Sequence, residues 1–366
     1  MNNQIRPSGI LDAASADALL AQIHGDLPVV VDFSDVTGIQ FAALRRLMNG
    51  RRSGCRFSIV NASDAVMERF VDSGVSAYID IGRRPRKLDM SQYVEFGESV
   101  MYKAYKSADG DAIIKVYSAN VPASFVMQEQ AVARAVMHFG LPTPLVGTIY
   151  VDGDKTALDF ERIEGKRSFS RIIAEEPERT VEITSRFAKM CKQLHSTPCD
   201  TSIFSDRKLV HRQAVLACPG LSDGEREQIL RFVDAIPDVT TCLHGDLQMS
   251  NVITTPEGED LWIDLSEFGY GHPMLDIAMW YFLTRLNPEE LVQHLFHMGL
   301  AETARVWDLF VEEYADARSP EEKLAFEQQV RPYAALHMIY LGVNVGFKPG
   351  LMDRIREILK ACKMIP

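Results

Sequence analysis

One stretch in the second half of the chain constrains it most: LHGDLQMSNVITTPEGEDLWIDLSEFGYGHPMLDIA, residues 243–278. Two aspartates and an asparagine stand at fixed offsets inside apolar flanks. Asp246 precedes Asn251 by five residues, and Asn251 precedes Asp264 by thirteen. Phosphoryl transfer needs such a set: one carboxylate to orient an attacking hydroxyl, and two oxygen ligands to hold Mg²⁺ on nucleotide phosphates. Asp246 and Asn251 alone would read as a turn held by their own side chains. With Asp264 and the flanking glycines the stretch reads as catalytic.

The whole chain sets the frame for that stretch. Its 366 residues are long for one core, so two or three structural units are expected. No apolar run approaches the roughly 20 residues that span a bilayer, and the N-terminus carries no signal-peptide pattern. Six cysteines are scattered without CxxC pairing, which suggests a reducing compartment and a cytoplasmic location. The formal net charge is −11, unevenly spread. Residues 1–82 carry seven basic and nine acidic side chains, residues 83–92 four and one, and residues 93–366 carry 28 and 40. An acidic body disfavours a nucleic-acid partner. It suits a cationic substrate, and equally an ordinary solvated surface.

The first segment alternates short apolar runs with helical patterns. Strands are expected at 29–33, 57–60 and 77–81, with helices at 41–52 and 65–71. Phe41, Leu44, Leu47 and Met48 share one face of the first helix. The alternation implies a small α/β layer. On Gly9-Ile10-Leu11-Asp12-Ala13-Ala14, Val36-Thr37-Gly38-Ile39, Leu44 and residues 54–61, this segment resembles the sulfate-transporter and anti-sigma-factor-antagonist (STAS) domain. The resemblance implies a protein-docking module. It departs from that family at Gln40 and Phe41, where an Asp-Ser pair with a phosphorylatable serine is usual. Gly82 to Asp89, rich in charge and containing Pro85, reads as a solvated linker.

Residues 93–163 read as strands with one helix. Runs at 100–105 and 112–117 flank the hairpin loop Ser107-Ala108-Asp109-Gly110. A helix over about 124–139 stops at Gly140 and Pro142, and strands follow near 145–150 and 156–163. From Ser168 onward the pattern is mostly helical. The expected architecture is thus α/β and α+β: a small α/β domain over 1–82, a linker over 83–92, a β-rich lobe over 93–163 and a helical lobe over 164–366.

A β-rich lobe followed by a helical one, with HGDL-x₄-N, then ID, then GYGxPxxDIA in the second, resembles the aminoglycoside phosphotransferase and choline-kinase group. The resemblance covers about 93–366 and implies a protein-kinase-like fold using ATP and Mg²⁺. It implies Asp246 as the catalytic aspartate and Asn251 and Asp264 as metal ligands. Lys115 ends Ala112-Ile113-Ile114-Lys115, similar to the V-A-I-K strand of kinases, and would neutralise the α- and β-phosphates. Glu129, fourteen residues on, is its natural ion-pair partner. Glu161 to Ile163 matches the hinge whose backbone binds adenine. Asp276 would brace the loop, His244 would position it, and His195 would sit as a satisfied helix-end histidine.

Two features depart from the group. The phosphate-covering loop, Phe96 to Tyr102, holds Gly97 alone, with Ser99 as a side-chain phosphate donor. The position two after the metal aspartate, often acidic in the family, is Ser266, with Glu267 next. The acceptor is expected to be a small-molecule hydroxyl of the aminoglycoside, choline or homoserine type, with a protein partner for the N-terminal module and neither nucleic acid nor membrane. Trp280, Tyr281 and Trp307 are candidates for an aromatic box around an amine, and at helical spacing they equally read as core. A protein kinase or partner-switching regulator, and a nucleotide-binding scaffold without transfer, are the competing readings.

Overall fold

The computed structural model describes residues 5–23, 29–98, 101–108, 110 and 112–365. The chain divides into two compact units. The first comprises residues 1–164 with 200–204, and the second residues 165–199 with 205–366.

The first unit opens with β1 (Ser8–Leu11), α1 (Ala13–Leu20), β2 (Val29–Asp32), β3 (Asp35–Ile39), α2 (Phe41–Arg52), β4 (Phe57–Ala62), α3 (Asp64–Asp72) and β5 (Ile81–Arg83). β2, β4 and β5 form a parallel sheet in that order, and β1 pairs in parallel with β3. Parallel strands need crossovers, which the amphipathic helices supply while covering the sheet. The core here holds Val31, Phe33, Leu44, Leu47, Phe57, Ile59 and Phe70. Two expectations are corrected. Residues 75–77 form a 3-10 turn, so the last strand starts only at Ile81. Phe41 is 64% exposed, because the buried face of α2 runs through Ala43, Leu44, Leu47 and Arg51 instead. The Arg69 guanidinium lies 4.8 Å from the Phe41 ring centroid and shields it.

The unit continues with β6 (Arg86–Lys87), β7 (Tyr93–Glu98), β8 (Tyr102–Ser107), β9 (Ala112–Tyr117), α4 (Ala123–His138), β10 (Val146–Asp152) and β11 (Lys155–Glu161). Its six-stranded sheet runs β6-β10-β11-β9-β8-β7, antiparallel except for β6 beside β10. Residues 83–92 are therefore not a free linker: Arg86 and Lys87 pair with Tyr150 and Val151 as an edge strand. An edge suits Pro85 and the clustered charge, since neither has to fit a ladder on both sides.

One apolar cluster spans the two parts of this unit, joining Val30 and Val60 to Tyr117, Val126, Met127 and Leu158. Residues 200–204 also fold here. The buried Arg51 pairs with Asp200 at 3.3 Å, and Phe204 packs against Phe139 at 5.6 Å between ring centroids.

The second unit is mostly helical. It contains β12 (Arg167–Ser168), α5 (Phe169–Glu175), α6 (Thr180–Ser196), β13 (Ser205–Asp206), α7 (Arg207–Ala217) and α8 (Asp223–Ala235). The short strands β14 (Cys242–Leu243), β15 (Val252–Thr254), β16 (Asp260–Trp262) and β17 (Gly269–Tyr270) follow. Helices α9 (Met274–Tyr281), α10 (Glu289–Phe296), α11 (Leu300–Ala315), α12 (Pro320–Val345) and α13 (Leu351–Ala361) complete it. Phe187 on α6 is the hub of the core, 5.3 Å from Trp280 and 5.7 Å from Phe310 between ring centroids. Trp280, Tyr281 and Trp307 are buried in this core, so they form no amine box. No helix among the described residues is long and apolar enough to cross a membrane.

Two histidines in this core make its stability depend on pH. His211 on α7 and His337 on α12 are buried with rings 6.2 Å apart. Burial, then the Arg207 charge, pushes His211 down to about 4; burial, then the His211 charge, pushes His337 down to about 3. Below pH ~6.5 the unfolded chain takes up protons that the folded unit refuses, so unfolding becomes easier as pH falls. The histidine contribution is full above pH ~6.5 and declines by about 1–3 kcal/mol per pH unit as pH drops from there toward 4. Urea midpoints measured from pH 7.5 to 4.5 are expected to fall accordingly, and to flatten when both residues are replaced by phenylalanine.

Candidate active site

Two clusters contain the residues singled out from the sequence, one in each unit. In the first unit, Lys115 stands in β9 opposite Ala104 of β8 and Leu158 of β11. Its Nζ is 2.9 Å from Glu129 Oε1 on α4, and both side chains are largely buried. The Tyr117 hydroxyl donates to the other Glu129 oxygen. The ammonium also lies 4.8 Å from the Tyr102 ring centroid and 5.0 Å from that of Phe160. A carboxylate and two aromatic faces thus fix one cation in place. Tyr102, Tyr117 and Phe160 were not legible as a set in the sequence. They come from three strands, and their convergence follows from sheet order.

Glu161 ends β11. Its backbone N–H donates to Leu145 O at 2.8 Å, and its carboxylate accepts from Leu145 N at 3.0 Å. Ile163, just past the strand, makes no hydrogen bond within the chain among the described residues. Of the expected hinge, Glu161 has its backbone N–H committed, while the backbone groups of Ile163 are left for a ligand. Ser99 lies outside the described residues.

In the second unit the loop after β14 carries His244, Gly245 and Asp246. Gly245 has φ +82°, and a Cβ there would sit 2.0 Å from Glu267 O, so only glycine fits. Asp276, in the first turn of α9 and 1% exposed, holds this loop by its backbone. It accepts from His244 N at 2.6 Å and from Gly245 N at 2.8 Å, and lies 3.2 Å from His195 Nε2. Burial opposes ionisation, but the hydrogen bond and charge of His195 and the Gly245 N–H outweigh it and hold the Asp276 carboxyl below its usual range. Tyr314 OH lies 2.8 Å from His195 Nδ1, completing a chain from α11 to the loop.

His244 is fully buried; its Nε2–H donates to Ile263 O at 3.0 Å, leaving Nδ1 to accept from Asp246 N at 3.3 Å. That pattern defines the tautomer.

Asp246 and Asn251 are in direct contact. Asn251 Nδ2 donates to Asp246 Oδ2 at 2.8 Å and to its carbonyl at 2.9 Å. Gln248 Nε2 donates to both Asp246 oxygens, at 3.2 and 3.1 Å. The thirteen-residue spacing to Asp264 is the length of a β-hairpin. β15 and β16 pair Val252 with Trp262, and Ile263 N extends the ladder to Asn251 O at 2.9 Å. Asp264 follows at once, turned by a left-handed backbone (φ 57°, ψ 60°) that aspartate tolerates better than most residues. Desolvation raises the Asp246 carboxyl; the Asn251 and Gln248 hydrogen bonds oppose the rise, and the charge of Asp264 adds to it.

The donor set fits a hard cation. Two carboxylates repel each other here, and Asn251 spends its Nδ2 on Asp246, leaving Oδ1 uncommitted among the described residues. Gln248 Oε1 is buried without a partner among the described residues, an acceptor awaiting a donor. One carboxylate and one amide oxygen suit Mg²⁺, which keeps several waters and uses one or two protein oxygens with substrate phosphates. Glu267 is engaged elsewhere, by Arg207 Nη1 at 2.9 Å and Tyr340 OH at 2.6 Å. Gln248 and Arg207 had not been singled out. Gln248 stands inside the conspicuous stretch, two residues after Asp246, and could have been found there; Arg207 has no local signal.

Residues 95–310, more than half of the chain, match the model of the phosphotransferase enzyme family. The chain belongs to the phosphotransferase enzyme family. A family member of this kind is a kinase of hydroxyl acceptors with ATP as phosphate donor. The match begins after the N-terminal α/β layer and takes in both clusters. No curated protein matches the sequence.

Among solved structures, the chain is similar to an aminoglycoside-3'-phosphotransferase of type VIII, at 22% identity and TM-score 0.45, over 66% of this chain and 93% of that one. It is similar to aminoglycoside phosphotransferase APH(3'')-Id from Streptomyces rimosus in complex with ADP and streptomycin, at 18% identity and TM-score 0.43, over 67% and 94%. LicA in complex with AMP matches at 14% identity and TM-score 0.45, over 81% and 98%.

Proposed function

We propose that this phosphotransferase moves the γ-phosphate of ATP to a hydroxyl of a small, amine-bearing acceptor, with Asp246 as the catalytic carboxylate. The observation that carries the reading is the Asp246–Asn251 contact beside Asp264, on a loop braced by Asp276. Asp246 accepts a hydrogen bond from the acceptor hydroxyl, orients its oxygen and takes the proton late. A loose transition state rewards this positioning more than strong basicity. Asn251 and Asp264 would hold Mg²⁺, which would neutralise charge on the transferring phosphates. Lys115, held by Glu129, contacts the α- and β-phosphates; the backbone near Ile163 takes the adenine, and Ser99 is assigned to the phosphate-covering loop.

The acidic balance of residues 93–366 supports a cationic acceptor of the aminoglycoside, choline or homoserine type. The N-terminal layer is assigned to protein docking, in keeping with its STAS-like motifs. Phe41, at the position of the usual phosphorylatable serine, has no hydroxyl, so docking there needs no phosphate.

Purified protein with MgATP and a panel of amine-bearing alcohols tests the reading, with acceptor-dependent ADP release and a phosphorylated product as the expected result. Absence of product with every acceptor would overturn it. Lys115→Met removes the cation while keeping an apolar stem of similar length. A charge-assisted contact of this kind is worth about 1.5–3 kcal/mol, so kcat/KM for ATP is expected to fall roughly 10–150-fold. An unchanged value would remove Lys115 from the nucleotide site.

A further inference from the structure

One strongly basic stretch of this acidic chain, residues 83–87, lies outside the residues assigned to phosphate transfer. Arg83 and Arg84 follow β5's buried start, and Arg86 lies on the edge strand β6. All three line a cavity of about 300 Å³ in the first unit, together with Arg134 and Gln130 of α4 and Met67 of α3. Four guanidinium groups around one cavity repel each other unless anions offset them. Asp80 pairs with Arg134 at 2.9 Å, and Asp64 pairs with Arg83 at 3.1 Å in an exposed, well-screened contact. Arg84 donates to Ser34 O at 2.7 Å, and among the described residues no carboxylate lies within ion-pair distance of Arg84 or Arg86, although the charge of Arg86 reaches the Asp159 carboxyl behind the cavity wall. Arg134 Nε is buried with no partner among the described residues. Each guanidinium has five N–H donors in a planar fork suited to phosphate oxygens, and these contacts use few of them.

We propose that this cavity is a second, anion-binding site for a small phosphate-bearing molecule, held by Arg83, Arg84, Arg86 and Arg134. Its volume is at the lower end for small-molecule sites and suits a phosphate or diphosphate of a compact metabolite. The apolar wall from Met67 takes the carbon skeleton. The site has a built-in connection to the nucleotide cluster. Gln130 and Arg134 are one turn apart on the cavity face of α4, and Glu129, the partner of Lys115, precedes Gln130. Gln130 also ties α4 to β10 through Gly147 O at 2.6 Å. An anion that recruits Arg134 fixes the helix that carries Glu129, and so sets how firmly Lys115 is held. The binding claim does not rest on the phosphotransfer reading; only this connection does.

The test titrates inorganic phosphate, pyrophosphate, glycerol 3-phosphate and sulfate into the full chain saturated with AMP-PNP, which keeps the probes out of the nucleotide site. Calorimetry is expected to show one saturable event for a phosphate probe. The ranking of free phosphate, diphosphate and ester identifies the source. The double variant R84Q/R86Q, at two exposed positions, is expected to weaken it at least tenfold with an unchanged melting temperature. Lys115→Met is expected to leave it intact. Hydrogen exchange over residues 123–138 is expected to slow on binding in the wild type and not in R84Q/R86Q. No saturable binding, equal binding of sulfate and phosphate probes, or binding unmoved by R84Q/R86Q would overturn the site. Binding without slowed exchange in α4 would overturn the connection.

Discussion

Asp246→Asn is expected to lower kcat by about 10²–10⁴ while leaving KM for ATP and the melting temperature nearly unchanged. The substitution keeps the shape of the side chain and one acceptor oxygen for Asn251 Nδ2 and Gln248 Nε2, whose donors converge on Asp246. It removes the atom that takes the acceptor's proton. Stability is expected to hold because the ionised carboxylate is costly here: desolvation, with the Asp264 charge adding to it, raises the Asp246 carboxyl. A raised carboxylate binds its proton more tightly folded than unfolded, so it costs stability above its folded pKa and not below the unfolded value. A neutral amide removes that cost. The acid limb of the kcat profile is expected to vanish in the residual activity of Asp246→Asn. Unchanged kcat would take Asp246 out of the reaction.

Much of this site was legible because local geometry sets its spacings. The thirteen-residue offset from Asn251 to Asp264 spans a hairpin, and its register returns the chain to Asn251's side. Lys115 and Glu129 meet because a strand followed by a helix on its face repeats one short crossover. What escaped was set by contacts distant in sequence. The aromatic faces around Lys115 come from neighbouring strands, and sheet order is not written in any one segment. Residues 200–204 leave the helical stretch for the first unit because Arg51, Arg56 and Phe139 meet them there. Residues 83–92 looked like a linker because their composition is polar. An edge strand tolerates that composition, paired on one side only. Phe41 misleads by type: an aromatic at the right helical spacing reads as core, while its ring stands exposed outside it with Arg69 over one face.

Asp276→Ala is expected to destabilise the second unit by about 3–5 kcal/mol, the cost of breaking a buried charged pair by removing one partner. The two oxygens of Asp276 satisfy the backbone N–H groups of His244 and Gly245 and face His195 Nε2, and all three lose their partner at once. Each orphaned buried donor costs about 1–3 kcal/mol, so the total is bounded by partial collapse of the loop rather than by lack of lost contacts. Asp276→Asn separates charge from shape. An amide NH₂ would have to face a backbone N–H, donor against donor, so even this variant is expected to lose most of the same stability. pH supplies an independent check with a known sign. The Asp276 carboxyl is held below its usual range, so its contribution is full above the ordinary aspartate pKa of ~3.9 and is lost as pH falls through the lower folded value. Urea unfolding followed by tryptophan fluorescence reads this, since Trp262 and Trp280 lie buried in the same unit. A loss below about 1 kcal/mol, with kcat intact, would mean that the loop holds its shape without Asp276. A large loss of kcat in molecules that remain folded would instead place the effect of Asp276 in aiming Asp246, because the Gly245 backbone it holds is the residue that sets where Asp246 points.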